Sequence, residues 1–231
     1  MVEKFERWFR RRFPDYRPRW EVYEAVLRSL LAPETVWIDA GCGSNALAAS
    51  LGGNCRLAVG IDLIPAANAP FVQADLRHLP LASSCADLVS LRMVVEHLER
   101  IPQDLQEIER ILKPEGRLLV LTTNAHSPLV LLPRLLPFKW KKWLLCKMFG
   151  VAEHEVFPTQ HRFNTVRRMR RGAGTLQAVS ITLLEQTSFS QLAPAMLFGL
   201  WYAFTRLPGF AAIRSNILAV FQKSLSLPSP P

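Results

Sequence analysis

A chain of 231 residues with 49% hydrophobic side chains can fill the core of one large domain, and its composition excludes a largely disordered polypeptide. The net charge of +9 is uneven: net +4 over residues 1–20, −5 over 21–123, +8 over 124–171 and +2 over 172–231. Cys42, Cys55, Cys85 and Cys146 form no C-x-x-C pair, so no zinc pattern is present, and they read as reduced thiols of a cytoplasmic protein. No run reaches the roughly 20 apolar residues that span a bilayer, and residues 1–13 lack the apolar stretch of a secretory signal.

Residues 3–13 read as a short helix with Phe5, Trp8, Phe9 and Phe13 near one stripe and Arg10 to Arg12 beside it. Residues 20–31 read as a second, stopped by Pro33. Strands follow at 36–39, 56–62, 71–74, 86–91 and 117–122, with helices at 46–51, 94–98 and 103–112 and a Lys-Pro-Glu-Gly turn at 113–116. Continuously apolar strands separated by helices argue for a parallel sheet covered on both faces. After Thr123 the rhythm breaks. Residues 124–171 are apolar, aromatic and basic, 175–184 and 216–222 supply a sixth and a seventh strand, and 188–213 is apolar again. The expected organisation is one domain over 1–231 with a helical cap (1–32), a basic apolar insertion or lid (124–171) and an apolar insertion between the last two strands (188–213). Residues 227–231 are a Pro/Ser tail that reads as disordered.

The segment Asp39-Ala40-Gly41-Cys42-Gly43-Ser44-Asn45 follows a strand and opens a helix. Glycines there let the backbone turn tightly and approach a ligand, and the helix N-terminus offers free N–H groups to an anion. Asp62 ends the next strand, where a carboxylate can take both ribose hydroxyls of a nucleoside. This spacing fits NAD as well as S-adenosylmethionine. Three features favour the latter. Asp39 would repel a pyrophosphate but can hold an amino group, Asp75-Leu76 ends a third strand where it can meet adenine, and the last two strands suit an antiparallel hairpin.

The pieces VWIDAGCGSN, VGIDLI, QADLRHLPLASSCADLVSLRMVVEHL and IERILKPEGRLLVLT resemble, in order and spacing, the class I S-adenosylmethionine-dependent methyltransferases, especially the type 11 subfamily. The resemblance implies an α/β, Rossmann-like sheet of seven strands in the order 3-2-1-4-5-7-6, the last antiparallel, and S-adenosylmethionine as cofactor. It implies that Asp39, Gly41 and Gly43 hold the methionine end, Asp62 the ribose, and Asp75 with Leu76 the adenine, with Cys42 and Leu63 as further cofactor-binding candidates. The backbone from Ser90 to Arg92 would face the cofactor as well. The family often has a third glycine where Asn45 stands, and Asn tolerates left-handed geometry.

His97 and His126 follow the fourth and fifth strands at the ligand edge, and His161 lies in the basic insertion; all three are candidate general bases. His78 and Asp87 read as structural or surface groups. The sulfonium is itself a strong electrophile, so positioning and desolvation can supply much of the rate without a marked base. The apolar insertions fit a core under a lid, a tunnel for a lipid-like small-molecule acceptor, or a peripheral membrane contact by Trp140, Trp143, Trp201 and Tyr202 beside Lys139, Lys141, Lys142, Lys147 and Arg206. A homodimer interface is a further option. An NAD-dependent oxidoreductase and a non-catalytic membrane or protein adaptor remain as rivals, while nucleic acid is disfavoured because the basic stretch is heavily apolar. No metal site is expected.

Overall fold

The computed structural model describes residues 1–132, 137, 139–140, 159–171, 174–187, 189 and 191–225. Readings that rested on Lys141, Lys142, Trp143, Cys146, Lys147 or His154, and the tail at 227–231, lie outside these residues.

Two helices, α1 (Val2–Arg12) and α2 (Arg19–Leu30), lead into an alternating series. It consists of β1 (Val36–Ala40), α3 (Ala46–Leu51), β2 (Leu57–Asp62), β3 (Phe71–Gln73), β4 (Ala86–Arg92), α4 (Ile101–Ile111) and β5 (Leu112–Thr123). Then come the short helices α5 (Pro128–Leu131) and α6 (Val166–Arg171), followed by β6 (Leu176–Leu184), α7 (Leu192–Thr205) and β7 (Asn216–Lys223). The strands form one sheet in the order β3-β2-β1-β4-β5-β7-β6. β1 to β5 pair in parallel and β7 runs antiparallel to both neighbours. This is the order and the reversed strand that the resemblance implied.

Alternate side chains of each strand point to opposite faces, and both faces are covered. On one face Ile38, Val89, Leu91, Val120 and Ile217 pack under Leu105 and Ile108 of α4. On the other, Trp37, Leu88, Leu119 and Leu218 pack under Tyr23 and Leu27 of α2 and Leu51 of α3. α2 is therefore a layer of the sandwich itself, more than a cap over one end.

Three local expectations change. The Lys-Pro-Glu-Gly turn lies within β5, as a bulge. Ala86 pairs with Leu112 and Leu88 with Arg117, and Glu115 takes a positive φ of 62°. The bulge is tied down by Asp87, which accepts from Lys113 Nζ at 2.7 Å and Val36 N at 2.9 Å. The helix expected at 94–98 is one 3₁₀ turn, Val95–His97. In α1, Phe9 is fully buried and joins Tyr16 and Tyr202, with Phe5, Phe13 and Phe189 packed around them, whereas Trp8 leaves the stripe and is 56% exposed.

Tyr202 and Trp201 also depart from the expected interfacial surface. Tyr202 is buried edge-on to Phe9, Phe13 and Tyr16. Trp201 is half-buried and donates its Nε1–H to Glu185 at 2.8 Å. Trp201 finds an inward acceptor and Tyr202 an aromatic pocket, so this face of α7 turns to the protein. α1 lies against it closely: a Cβ on Gly199 would come within 3.0 Å of the Phe5 ring.

Candidate functional site

Ligands of open α/β sheets lie at the carboxyl ends of the parallel strands. Here that edge carries Ala40, Asp62, Gln73, Arg92 and Thr123, with Asn216 at the start of the reversed β7 paired to Thr123 and Leu184.

The glycine turn is pinned over this edge. Gly41 N and Cys42 N both donate to Ile61 O, at 2.7 and 3.1 Å. Gly41 has φ 74°, and a Cβ there would stand 2.2 Å from Val94 Cγ2, so both backbone angle and space demand glycine. Gly43 N donates to Asp62 Oδ2 at 2.8 Å and Ile64 N to Asp62 Oδ1 at 3.1 Å. Each carboxylate oxygen accepts more than one bond, so Asp62 keeps capacity for hydroxyl donors. Asn45 adopts the left-handed geometry expected of it, φ 57°. Its Nδ2 donates to Asn68 O at 2.7 Å and Pro70 O at 2.9 Å, strapping the loop between β2 and β3 to the turn.

Behind the turn, Asp39 is almost wholly buried. Oδ1 accepts from Ser90 Oγ at 2.6 Å, and Ser90 in turn accepts from Trp37 Nε1 at 2.8 Å. Oδ2 is buried with no hydrogen-bond partner among the described residues. Burial pushes the Asp39 carboxyl above its ordinary range, against the Ser90 bond and the positive charge of Arg92. The Tyr23 hydroxyl is buried near Ser90 and Asp39 without a hydrogen bond of good geometry, and burial raises its pKa too. An unmet acceptor and an unmet donor thus lie near each other. An ammonium beside the first and a carboxylate beside the second would satisfy both, which is the chemistry of the amino-acid end of S-adenosylmethionine. Burial pushes the Cys42 thiol up to about 12, so it packs the turn as a neutral group.

The remaining expected contacts are spread along the edge. Leu63 is 64% exposed and Leu76 is half-buried. Asp75 is gripped by the Arg77 guanidinium through bonds of 2.6 to 3.0 Å, which hold its carboxyl below the usual range. The Ser90 side chain points to β1 as described, and its backbone sits in the sheet, paired with Asp39 on one side and Leu119 on the other. Arg92 stacks its guanidinium 5.7 Å from the Trp20 ring.

Next to this lies a buried polar cluster, of which the sequence reading named only His161. Glu96 is buried, accepts from Thr122 Oγ1 at 2.7 Å, and is pushed upward by desolvation. Asn164 Nδ2 also bonds Thr122 Oγ1, at 2.5 Å. His161 is buried, its N donating to Glu96 O and its Nδ1 lying 3.2 Å from Thr123 Oγ1. Arg19 donates to Asn216 Oδ1 at 2.6 Å and stacks on Trp20 at 4.3 Å, its charge balanced by Glu96 and Glu185. His161 and Glu96 are thus brought together, His97 follows Glu96 directly, and His126 is exposed with only its backbone N–H bonded to Asn124 Oδ1. The sequence signal for the rest of the cluster is Glu96, a charged residue set inside the apolar run Val94–Leu98.

The sheet order with its reversed seventh strand and glycine turn after β1 defines the class I methyltransferase fold. The solved N-methyltransferase NodS of Bradyrhizobium japonicum, in complex with S-adenosyl-L-homocysteine, has the same fold: TM-score 0.51 at 16% identity, covering 96% of this chain and 97% of that one. The YcgJ protein of Bacillus subtilis gives TM-score 0.54 at 14% identity over 88% and 98%. Residues 38–120 match the family described as a methyltransferase domain. Among curated relatives, a malonyl-[acyl-carrier protein] O-methyltransferase of Methylovorus sp. is 34% identical over 131 residues, 46% of this chain and 44% of that protein. An uncharacterized methyltransferase of Bacillus subtilis is 32% identical over 120 residues, 46% and 51%. The chain spans about half the length of these relatives.

Proposed function

We propose that this chain binds S-adenosylmethionine across the carboxyl edge of β1, β2 and β3 and passes its methyl group to a small, hydrophobic or lipid-linked acceptor. The observation that carries the reading is the buried Asp39 oxygen without a partner, directly before the Gly41–Gly43 turn and with Asp62 across from it. In this assignment Asp39, Gly41, Cys42 and Gly43 hold the methionine end, with the Tyr23 hydroxyl as donor to its carboxylate. Asp62 and Leu63 hold the ribose, Asp75 and Leu76 the adenine, and the Ser90–Arg92 backbone closes the far side. When bound, S-adenosylmethionine supplies a sulfonium-activated methyl group. The chain's own part is to orient the acceptor and keep water out, through Trp20 and Tyr23 of α2.

On the acceptor side His161, held beside Thr123 and Glu96, and His97 are the candidate proton acceptors. His126, out in solvent, is the weaker of the three. The name of the Methylovorus relative supports an acceptor joined to an acyl carrier, in keeping with the apolar insertions. A nicotinamide dinucleotide is a poorer match, because the usual dinucleotide sheet has strand order 3-2-1-4-5-6 with no reversed seventh strand.

Calorimetric binding of S-adenosylmethionine, S-adenosylhomocysteine and NADH tests the cofactor, and transfer of labelled methyl to malonyl-acyl carrier protein or to a lipid extract tests the acceptor. Binding of the first two ligands without NADH is expected. Failure of the folded protein to bind either would overturn the enzyme reading and leave a non-catalytic membrane or protein adaptor.

A further inference from the structure

α7 is a 14-residue helix without a single charged side chain. Its inner side, with Pro194, Ala195, Gly199 and Tyr202, packs on the protein. Its outer side does not. Met196, Leu197, Leu200 and Phe204, continued by Leu207 and Phe210, are each 37–70% exposed, and the helical members recur at the three- and four-residue spacing of a single stripe. An apolar stripe that is left in water marks a docking surface.

What flanks the stripe indicates what covers it. α1 packs against α7 through Phe5 and Phe9. It carries Lys4, Arg7, Arg10, Arg11 and Arg12 against Glu3 and Glu6, and all five cations are exposed. Trp8 stacks on Phe5 at 5.5 Å and leaves most of its ring outside. The Arg206 charge next to the stripe is neutralised by Asp15 at 2.6 Å. An uncharged apolar stripe beside a basic helix with an exposed tryptophan is complementary to an anionic bilayer, with apolar groups below and cations at the headgroups. A second copy docked symmetrically through the stripe would bring two net-positive α1 helices near each other, which is unfavourable. Among the described residues no helix is long and apolar enough to cross a membrane, and α7 covers only about 21 Å along its axis, so it would lie in the plane of the surface.

We propose that α7 and α1 together form a peripheral docking face for an anionic membrane. The opposite side of α7 reaches the site's edge through the Trp201–Glu185 hydrogen bond just beyond β6. A lipid-like acceptor would then enter from the bilayer; that consequence rests on the methyl-transfer reading, whereas the docking itself does not.

The test is flotation of the full chain with vesicles of phosphatidylcholine and phosphatidylglycerol, against vesicles of phosphatidylcholine alone. The expected result is binding to the mixed vesicles that weakens with salt. Leu197→Glu with Leu200→Glu should reduce it more than about tenfold. Lys4→Gln, Arg7→Gln and Arg11→Gln together should reduce it roughly a hundredfold. Melting temperatures should stay unchanged in both, because all five side chains are exposed. Folded wild-type protein that remains in the aqueous phase, or variants that float as it does, would overturn the proposal. So would light scattering that shows a dimer abolished by the two glutamates, which would assign the stripe to a second copy.

Discussion

Asp39 is a carboxyl that its burial holds under electrostatic tension. Its folded-state pKa is raised above the ordinary carboxylate value. The folded chain therefore retains a proton that the unfolded chain releases, and that stabilisation is present below the ordinary value and lost as pH rises through the raised one. Asp39→Asn keeps an oxygen for the Ser90 bond and removes the charge. Its melting temperature should match wild type near pH 3.5 and exceed it at pH 8, by a difference worth roughly 1–3 kcal/mol. A constant offset across that range would contradict the raised carboxyl. The same variant should bind S-adenosylmethionine more weakly, because the charge that opposes folding is the one that meets the ammonium. Ser90→Ala should act in the other direction at every pH. It strips Asp39 and Trp37 of their partner at once, and should lower stability by about 2–4 kcal/mol in urea titration. Gly41→Ala combines a left-handed backbone with the clash on Val94, and a loss of at least 1–2 kcal/mol is expected from the angle alone.

At the level of elements, helix α1 is joined to the molecule mainly through aromatic rings. Phe9 touches Phe5, Phe13, Tyr16, Phe189 and Tyr202 with centroids 4.9–6.2 Å apart. Phe9→Ala should therefore destabilise the fold by about 3–5 kcal/mol and raise amide exchange in both α1 and α7, while an effect confined to α1 would mean that the two helices do not support each other. Strand positions were readable in the sequence, because buried parallel strands such as 86–91 are continuously apolar and the turns between them are marked by glycine and proline, whereas their order in the sheet was what the family resemblance implied. The β5 bulge was not, since Lys-Pro-Glu-Gly signals a turn equally well inside a strand and before one. Nor was the inward turn of Trp201 and Tyr202. An all-apolar helix has no polar side to declare its orientation, and the partners that fix it, Glu185, Phe9 and Tyr16, are distant in sequence.

Across the whole molecule, one mixed sheet gathers to a single edge residues that are scattered over about two hundred positions. The half of that edge proposed to hold the cofactor is built from short local motifs at strand ends, which is why the sequence places its residues there. The other half, Arg19, Glu96, His161, Asn164 and Asn216, comes from four separate segments and emerges only when β7 reverses beside β5 and residues 159–165 fold back against Glu96. The reversed strand, the partnerless Asp39 oxygen and the Asp62–Gly43 bridge all lead to the same account, in which a nucleoside with an amino-acid tail lies over β1 and β2. Titration calorimetry of S-adenosylhomocysteine into wild-type protein and into Asp62→Ala tests it most directly. The account predicts micromolar binding by the wild type and a loss of at least about tenfold, roughly 1.4 kcal/mol, in the variant, with both proteins folded. Equal affinity in the two, or no binding to folded wild type, would contradict it.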